Sequence, residues 1–335
     1  MSEIMRTSVI GAGLIGASWA ALFLASGRSV AVFDPATGTE AAVRDHVRNA
    51  WPAMTEIGLT KRGDPDRITF HASPEAAVEG ADFIQESVPE RIAMKHGTFA
   101  RIEPRLSSRA IVASSASGLT LGQMQRGWRS PGRFILGHPF NPPHLIPLVE
   151  LMANERTQPG VLESAEAFYA DIGKTTIRVQ KEVPGHVANR LQAAIWREAI
   201  HLVESGVASV GDVDKAIASG PGLRWAAMGP TTLFGLGAGE GGLSAFCDHF
   251  ADTFNGWWAD LGSPELNDAN AKLLEEGLVE ANEGRTVAEL SQRRDAMLVA
   301  IQRALAEIDP NSTGTEPRGA ATAGGSSGLS NPRPW

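Results

Sequence analysis

Three glycines near the start of the chain constrain its fold more than any other feature. A short apolar run, Ser8–Ile10, leads into Gly11-Ala12-Gly13-Leu14-Ile15-Gly16. A helix-like apolar stretch follows to Ala25, Gly27 closes it, and a second apolar run, Val30–Phe33, ends at Asp34. This is the strand, glycine turn, helix and strand context in which a GxGxxG pattern binds a dinucleotide. Gly11 permits the tight turn, Gly13 lets a pyrophosphate approach the backbone, and Gly16 lets the helix pack closely on the strand. The helix start, with Leu14 and Ile15, presents unpaired N–H groups and a partial positive charge to the phosphates. Asp34 stands where an acid accepts both ribose hydroxyls, and it would repel a 2′-phosphate. Pro35-Ala36-Thr37 offers no adjacent arginine. The expected cofactor is therefore NAD rather than NADP.

A second constellation lies in GHPFNPPHLIPLVE (137–150). Phe134–His138 and Leu148–Leu151 read as strands, and Pro139, Pro142, Pro143 and Pro147 exclude a helix between them. If the two strands lie side by side, His138 meets Glu150. A carboxylate fixes the tautomer of a histidine and stabilises its imidazolium, as a general base requires. Asn141 is expected to bond the loop backbone and support His138. His144, in the same loop, reads as a partly exposed surface histidine.

Together these motifs resemble the 3-hydroxyacyl-CoA dehydrogenase superfamily over roughly residues 5–305. The nearest likeness is to the branch acting on free hydroxy acids. RVQKEVPGHVANRLQ (178–192) and GHPFNPPHLIPLVEL (137–151) look like lambda-crystallin/L-gulonate 3-dehydrogenase. WREA (196–199) and GLRWAAMG (222–229) look more like carnitine 3-dehydrogenase. The resemblance implies that Ser117 and Asn189 contact the substrate oxygen beside His138. It also implies that Glu86 and Lys95 line the nicotinamide and ribose side. Ser115 stands where the family usually has Asn, as a substitute contact on the nicotinamide side. Local readings stay open: Ser117 and Asn189 also fit helix starts, and Lys95 fits a solvated helix position.

The same resemblance implies an α/β fold, an N-terminal Rossmann-type doubly wound sheet followed by an all-α C-terminal domain. Short apolar runs alternate with helical segments through the first half, as such a sheet requires. Helices are expected over 38–58 and Glu90–Ile102, and strands over Ile68–Phe70, Asp82–Glu86, Ala110–Ser114 and Thr175–Val179. A boundary near Val183-Pro184-Gly185 gives an NAD-binding domain over 1–183 and a helical substrate and dimerisation domain over 184–308. Thr286 and Glu289 read as a capping box. Residues 309–335, rich in Gly, Ser, Thr, Ala and Pro, read as a disordered tail.

A net charge of −8 argues against a nucleic-acid backbone or an anionic membrane as partner. No apolar run reaches membrane-span length, and the N-terminus enters the first strand almost at once, leaving no room for a leader. Cys247 is the single cysteine, so internal disulfides and cysteine metal clusters are excluded. No metal is expected, and a reducing cytoplasm fits.

The acyl-CoA members carry lysines after the second strand, where CoA phosphates sit. Here that stretch has Arg44 and Arg48 but no lysine. Arg224, in a Gly-rich turn beside Trp225, offers a bidentate fork for a substrate carboxylate. Trp225 and Trp196 suit a quaternary ammonium by cation–π attraction, and equally suit a helical core or a dimer interface.

The sequence thus leads to an NAD-dependent dehydrogenase, a homodimer, that oxidises the 3-hydroxyl of a small L-3-hydroxy acid of L-gulonate type. The alternatives are L-carnitine oxidation, 3-hydroxyacyl-CoA oxidation, biosynthetic ketoreduction and a crystallin-like, non-catalytic NAD-binding protein.

Overall fold

The computed structural model describes residues 4–308, and the expected tail over 309–335 lies outside them. An eight-stranded sheet forms the first half. Its strands are β1 (Arg6–Ile10), β2 (Ser29–Phe33), β3 (Ile68–Phe70), β4 (Phe83–Glu86), β5 (Ile111–Ser114), β6 (Phe134–Pro139), β7 (Leu148–Met152) and β8 (Thr175–Arg178). They lie in the order β3-β2-β1-β4-β5-β6-β7-β8. All neighbours pair in parallel except β6 and β7.

Burial along their whole length explains the apolar runs of β4, β5 and β6, whereas the edge strand β8 has no buried residue. Helix α1 (Leu14–Ala25) carries no polar face, because every residue from Gly16 to Ala25 is buried. It packs against α2 (Thr39–Glu56), whose apolar side is Val43, Val47, Ala50 and Met54. Two cores result, one centred on Trp19, Phe23, Phe83, Phe168 and Tyr169, the other on Phe99, Trp128 and Phe134.

The anticipated strands and α4 (Ile92–Ile102) form within two residues of their expected bounds. The short α3 (Pro74–Val78) and α6 (Val161–Asp171) have no counterpart in the sequence expectations, and the helix expected after Ser117 is the short α5 (Leu121–Gln125). Thr120 and Gln123 make the capping box of α5, so Ser117 is not the cap of that helix.

The chain divides into two compact units. Among the described residues, one takes in those up to Arg190 together with the segment from Ser291, and the other is Leu191–Leu290. The division falls inside α7 (Ala188–Glu204), and α13 (Val287–Ile308) begins with the Thr286–Glu289 capping box. The second unit is helical throughout, with α8 (Val210–Ser219), α9 (Pro221–Ala227), α10 (Pro230–Gly237), α11 (Gly242–Asp260) and α12 (Asp268–Ala281). Arg224 lies within α9, not in a turn, because Pro221 opens a helix that runs through it.

The loop between β6 and β7 is tied down from beneath. Lys174, buried, donates to the carbonyls of Pro143 and Ile146. His144 is buried rather than a surface residue, because Ser18 of α1 holds it twice. The Ser18 hydroxyl accepts the His144 N–H at 2.9 Å and shares a second hydrogen bond with Nδ1 at 2.7 Å. Burial, then the neighbouring His46, Lys174 and Arg294, push the His144 imidazole down to about 3. The unfolded chain therefore takes up a proton below pH 6.5 that the native state refuses. Stability is lost as pH falls from 6.5 toward 3, by about 1.4 kcal/mol per unit. In urea titrations, His144→Gln should flatten the pH dependence over that window by this amount. An unchanged slope would show that His144 titrates normally.

Candidate active site

The carboxyl ends of β2, β4, β5 and β6 carry Asp34, Glu86, Ser115, Ser117 and His138. Gly11 follows β1 with φ +87° and donates to Phe33 O at 2.9 Å. A Cβ there would lie 2.7 Å from the Ser87 carbonyl, and one on Gly16 would lie 1.9 Å from Gly11 O. Gly13 differs, since a Cβ on it would meet nothing within 4 Å. The backbone is thus closed on two glycines and open at the third. The first intrahelical bond of α1 runs from Ala17 N to Gly13 O, which leaves the N–H groups of Leu14, Ile15 and Gly16 directed outward. Leu14 is exposed.

Asp34 accepts from Ala12 N through one oxygen and from Ala36 N through the other, both at 2.8 Å. Its carboxylate is fixed at the end of β2, beside the turn. The groups present fit a dinucleotide: an open glycine, unpaired helix N–H groups and an anchored acid. Arg44 and Arg48 are committed to Glu40 and Asp45. Among the described residues no group of three His, Cys, Asp or Glu could hold a metal ion.

His138 and Glu150 stand directly opposite in the antiparallel β6–β7 pair. His138 Nδ1 lies 2.7 Å from Glu150 Oε2, with both side chains buried. Glu150 Oε1 accepts from Val187 N at 2.8 Å and Ala188 N at 3.0 Å, at the start of α7. Burial raises the Glu150 carboxyl pKa, but the bonds from His138, Ala188 and Val187 outweigh it and leave it below its ordinary value. An ionised Glu150 only accepts, so the proton between the pair sits on Nδ1. In the neutral imidazole, Nε2 of His138 is then the acceptor.

Ser117 follows β5, with its hydroxyl 2.8 Å from Glu90 Oε2. Glu90 Oε1 also accepts the N–H groups of Ser117, Gly118 and Leu119. Burial raises the Glu90 carboxyl, and these bonds together bring it below the usual carboxylate range. Asn189, in the first turn of α7, is half-buried, and its side chain makes no hydrogen bond among the described residues. Ser115 Oγ is engaged by Trp19, Gln85 and Ser87.

Glu86 and Lys95 form a buried ion pair at 2.7 and 2.9 Å, with Ser114 donating to Glu86 as well. Lys95 is not solvated, because α4 turns it inward onto Glu86. Asn141 is exposed and bonds nothing at His138; its peptide to Pro142 is cis. Arg224 and Trp225 belong to the helical unit, where Arg224 is exposed and forms no ion pair among the described residues.

Two residues beyond the sequence reading join this cluster. His186 is buried at φ +49°, with Nε2 3.1 Å from Ala116 O and its ring 5.2 Å from that of His138. Its signal was a histidine next to Gly185, where the chain turns left-handed. Glu90, the other, lies in the Pro-Glu-Arg stretch before α4, with nothing local to set it apart.

Models of two family domains match the chain. The 3-hydroxyacyl-CoA dehydrogenase NAD-binding domain covers residues 6–183, and the C-terminal domain of the same family covers 185–287. An L-carnitine dehydrogenase of Streptomyces griseus subsp. griseus is 42% identical over 96% of this chain and 93% of its own length. One from Pseudomonas putida is 41% identical over 91% and 95%. Among solved structures, the NAD+-dependent 5-formyl-3-hydroxy-2-methylpyridine 4-carboxylic acid 5-dehydrogenase superposes with a TM-score of 0.78. It is 30% identical and covers 90% of this chain and 99% of that one. Domain models, relatives and strand-end geometry agree: the chain belongs to the 3-hydroxyacyl-CoA dehydrogenase family, as an NAD-dependent oxidoreductase acting on a hydroxyl group.

Proposed function

We propose that this enzyme oxidises the 3-hydroxyl of L-carnitine, or of a closely similar small zwitterionic 3-hydroxy acid, to the ketone. Carnitine replaces the L-gulonate-like substrate favoured by the sequence motifs. Relatives more than 40% identical over nine-tenths of the chain bear the name L-carnitine dehydrogenase. The engagement of Arg44 and Arg48 with neighbouring acids speaks against a CoA phosphate handle. Arg224 would take the carboxylate, and Trp196 or Trp225 the quaternary ammonium.

The His138–Glu150 pair carries the chemical reading. His138 Nε2 takes the hydroxyl proton as the C–H bond breaks, and Glu150, held by two backbone N–H groups, stabilises the imidazolium. Bound NAD supplies the hydride acceptor. The Gly11–Gly16 turn and Asp34 hold it, with Glu86 and Lys95 bracing the end of β4. Ser117 and Asn189 flank the carbinol oxygen. Ser117 reaches that oxygen by giving up its bond to Glu90, so carboxylate and substrate compete for one proton.

The helical unit has only Ile200 and Val213 as buried hydrophobics among its described residues, while Trp196, Leu236, Trp257 and Trp258 are more than half exposed. A homodimer through this unit would cover such a surface. No helix among the described residues is long and apolar enough to cross a membrane. With one free cysteine, a cytoplasmic location completes the reading.

His138→Ala and Glu150→Ala should each lower kcat by about 10²–10⁴-fold while NADH binding persists. The double variant should cost little more than the His138 single. Near-normal kcat in a folded His138 variant would remove it from the mechanism. In a panel of L-carnitine, L-gulonate, L-3-hydroxybutyrate and its CoA ester, L-carnitine should give the highest kcat/KM. Arg224→Ala should then raise its KM roughly tenfold or more, as loss of a charge-assisted bond does. A higher kcat/KM for the CoA ester would return the chain to acyl-CoA chemistry. Light scattering at micromolar concentration should give twice the chain mass, and a monomeric mass would contradict the dimer.

A further inference from the structure

The hydrogen bonds beneath the strand ends form a chain with a fixed direction, and it ends on a residue so far without a role, Ser87. The chain starts at Tyr169. Burial holds its phenol well above the ordinary tyrosine range, against the opposing bond to Gln85, so it stays protonated. Its hydroxyl donates to Gln85 Oε1 at 2.6 Å. That fixes the amide, whose Nε2 donates to Ser115 Oγ at 2.8 Å and to Gly137 O at 3.2 Å. The reversed amide would set its oxygen against the Gly137 carbonyl. Trp19 Nε1, which can only donate, reaches Ser115 Oγ at 3.3 Å.

Two donors occupy both lone pairs of Ser115, so its single proton goes to Ser87 Oγ, 2.9 Å away. Ser87 receives that bond, and its own proton has no acceptor among the described residues. The residue is partly exposed, follows β4, and packs its backbone against the first glycine of the turn.

Its place in the sheet says what that proton meets. Along the row of strand ends, Asp34 follows β2, the glycine turn β1, Ser87 β4 and Ser115 β5, with His138 on β6. Neighbouring strands are about 4.8 Å apart, so His138 lies about 14 Å beyond the glycine turn. A dinucleotide with its adenosine ribose at Asp34 and its pyrophosphate at the turn crosses β4 and β5 with its other half to reach His138. Ser87 lies under that path.

We propose that Ser87 is a cofactor-binding residue whose hydroxyl donates to an oxygen of the nicotinamide riboside half of NAD. Ser115 acts through it, as a positioning residue. Because Gln85 also holds Gly137 O, the same chain sets the strand of the base and the grip on the cofactor together.

Binding of NADH and of ADP, which lacks the nicotinamide riboside, separates the outcomes when both are titrated calorimetrically against purified variants. Ser87→Ala should weaken NADH about three- to tenfold, the size of one neutral hydrogen bond, and leave ADP unchanged. Unchanged ADP affinity also reports an intact fold. Ser115→Ala should give a smaller loss, again for NADH alone, because the Ser87 hydroxyl then loses the bond that orients it. Unaltered NADH affinity in Ser87→Ala would overturn the proposal. Equal weakening of ADP and NADH would move the contact to the adenosine diphosphate half and overturn it too. A larger NADH loss in Ser115→Ala than in Ser87→Ala would make Ser115 the direct contact instead.

Discussion

The Glu150 carboxylate has one oxygen on His138 Nδ1 and the other on the N–H groups of Val187 and Ala188. It joins two strands to the start of a helix. A buried carboxylate is costly unless each oxygen is satisfied, and here the imidazole and two orphan helix donors satisfy it. The helix gains an anion at its positive end. The histidine gains a fixed tautomer and a facing negative charge. Removing the carboxylate would undo all three effects at once. The proposed base is therefore built into the fold rather than attached to it.

The sequence revealed most where a local pattern corresponds to a backbone requirement. Gly11 and Gly16 are glycines because a Cβ on either would strike backbone, and that need is written in six consecutive residues. The His138–Glu150 pairing was legible because prolines leave only a strand return between them. Long-range burial was not legible. Lys95 on a helix looks the same in sequence whether it faces water or Glu86. His144 looks like a loop histidine until Ser18, 126 residues away, is placed on it. His186 stayed hidden because its partners, Ala116 O beyond the end of β5 and the His138 ring on β6, lie far from it in sequence.

Within the sheet, charge and polarity follow the strand order. Asp34, the glycine turn, Ser87, Ser115 and His138 occupy successive strand ends, with Glu150 facing His138 from within β7, and this is the order in which the proposed hydride transfer would use them. The buried Glu86–Lys95 pair lies within this row but turns inward. It consolidates the end of β4 while the hydroxyl of the next residue remains available.

The β6–β7 pair is the one antiparallel step in this sheet, and it sets His138 against Glu150 in direct register. Side chains along a strand alternate between faces, so a slip by one residue would turn Glu150 to the opposite face from His138. The eight residues between the strands are held from beneath at Pro143, His144 and Ile146. An engineer could rework the rest of that loop, provided the two strands re-enter in the same register. What inheritance must preserve at this place is register and its anchors, not every residue of the crossing.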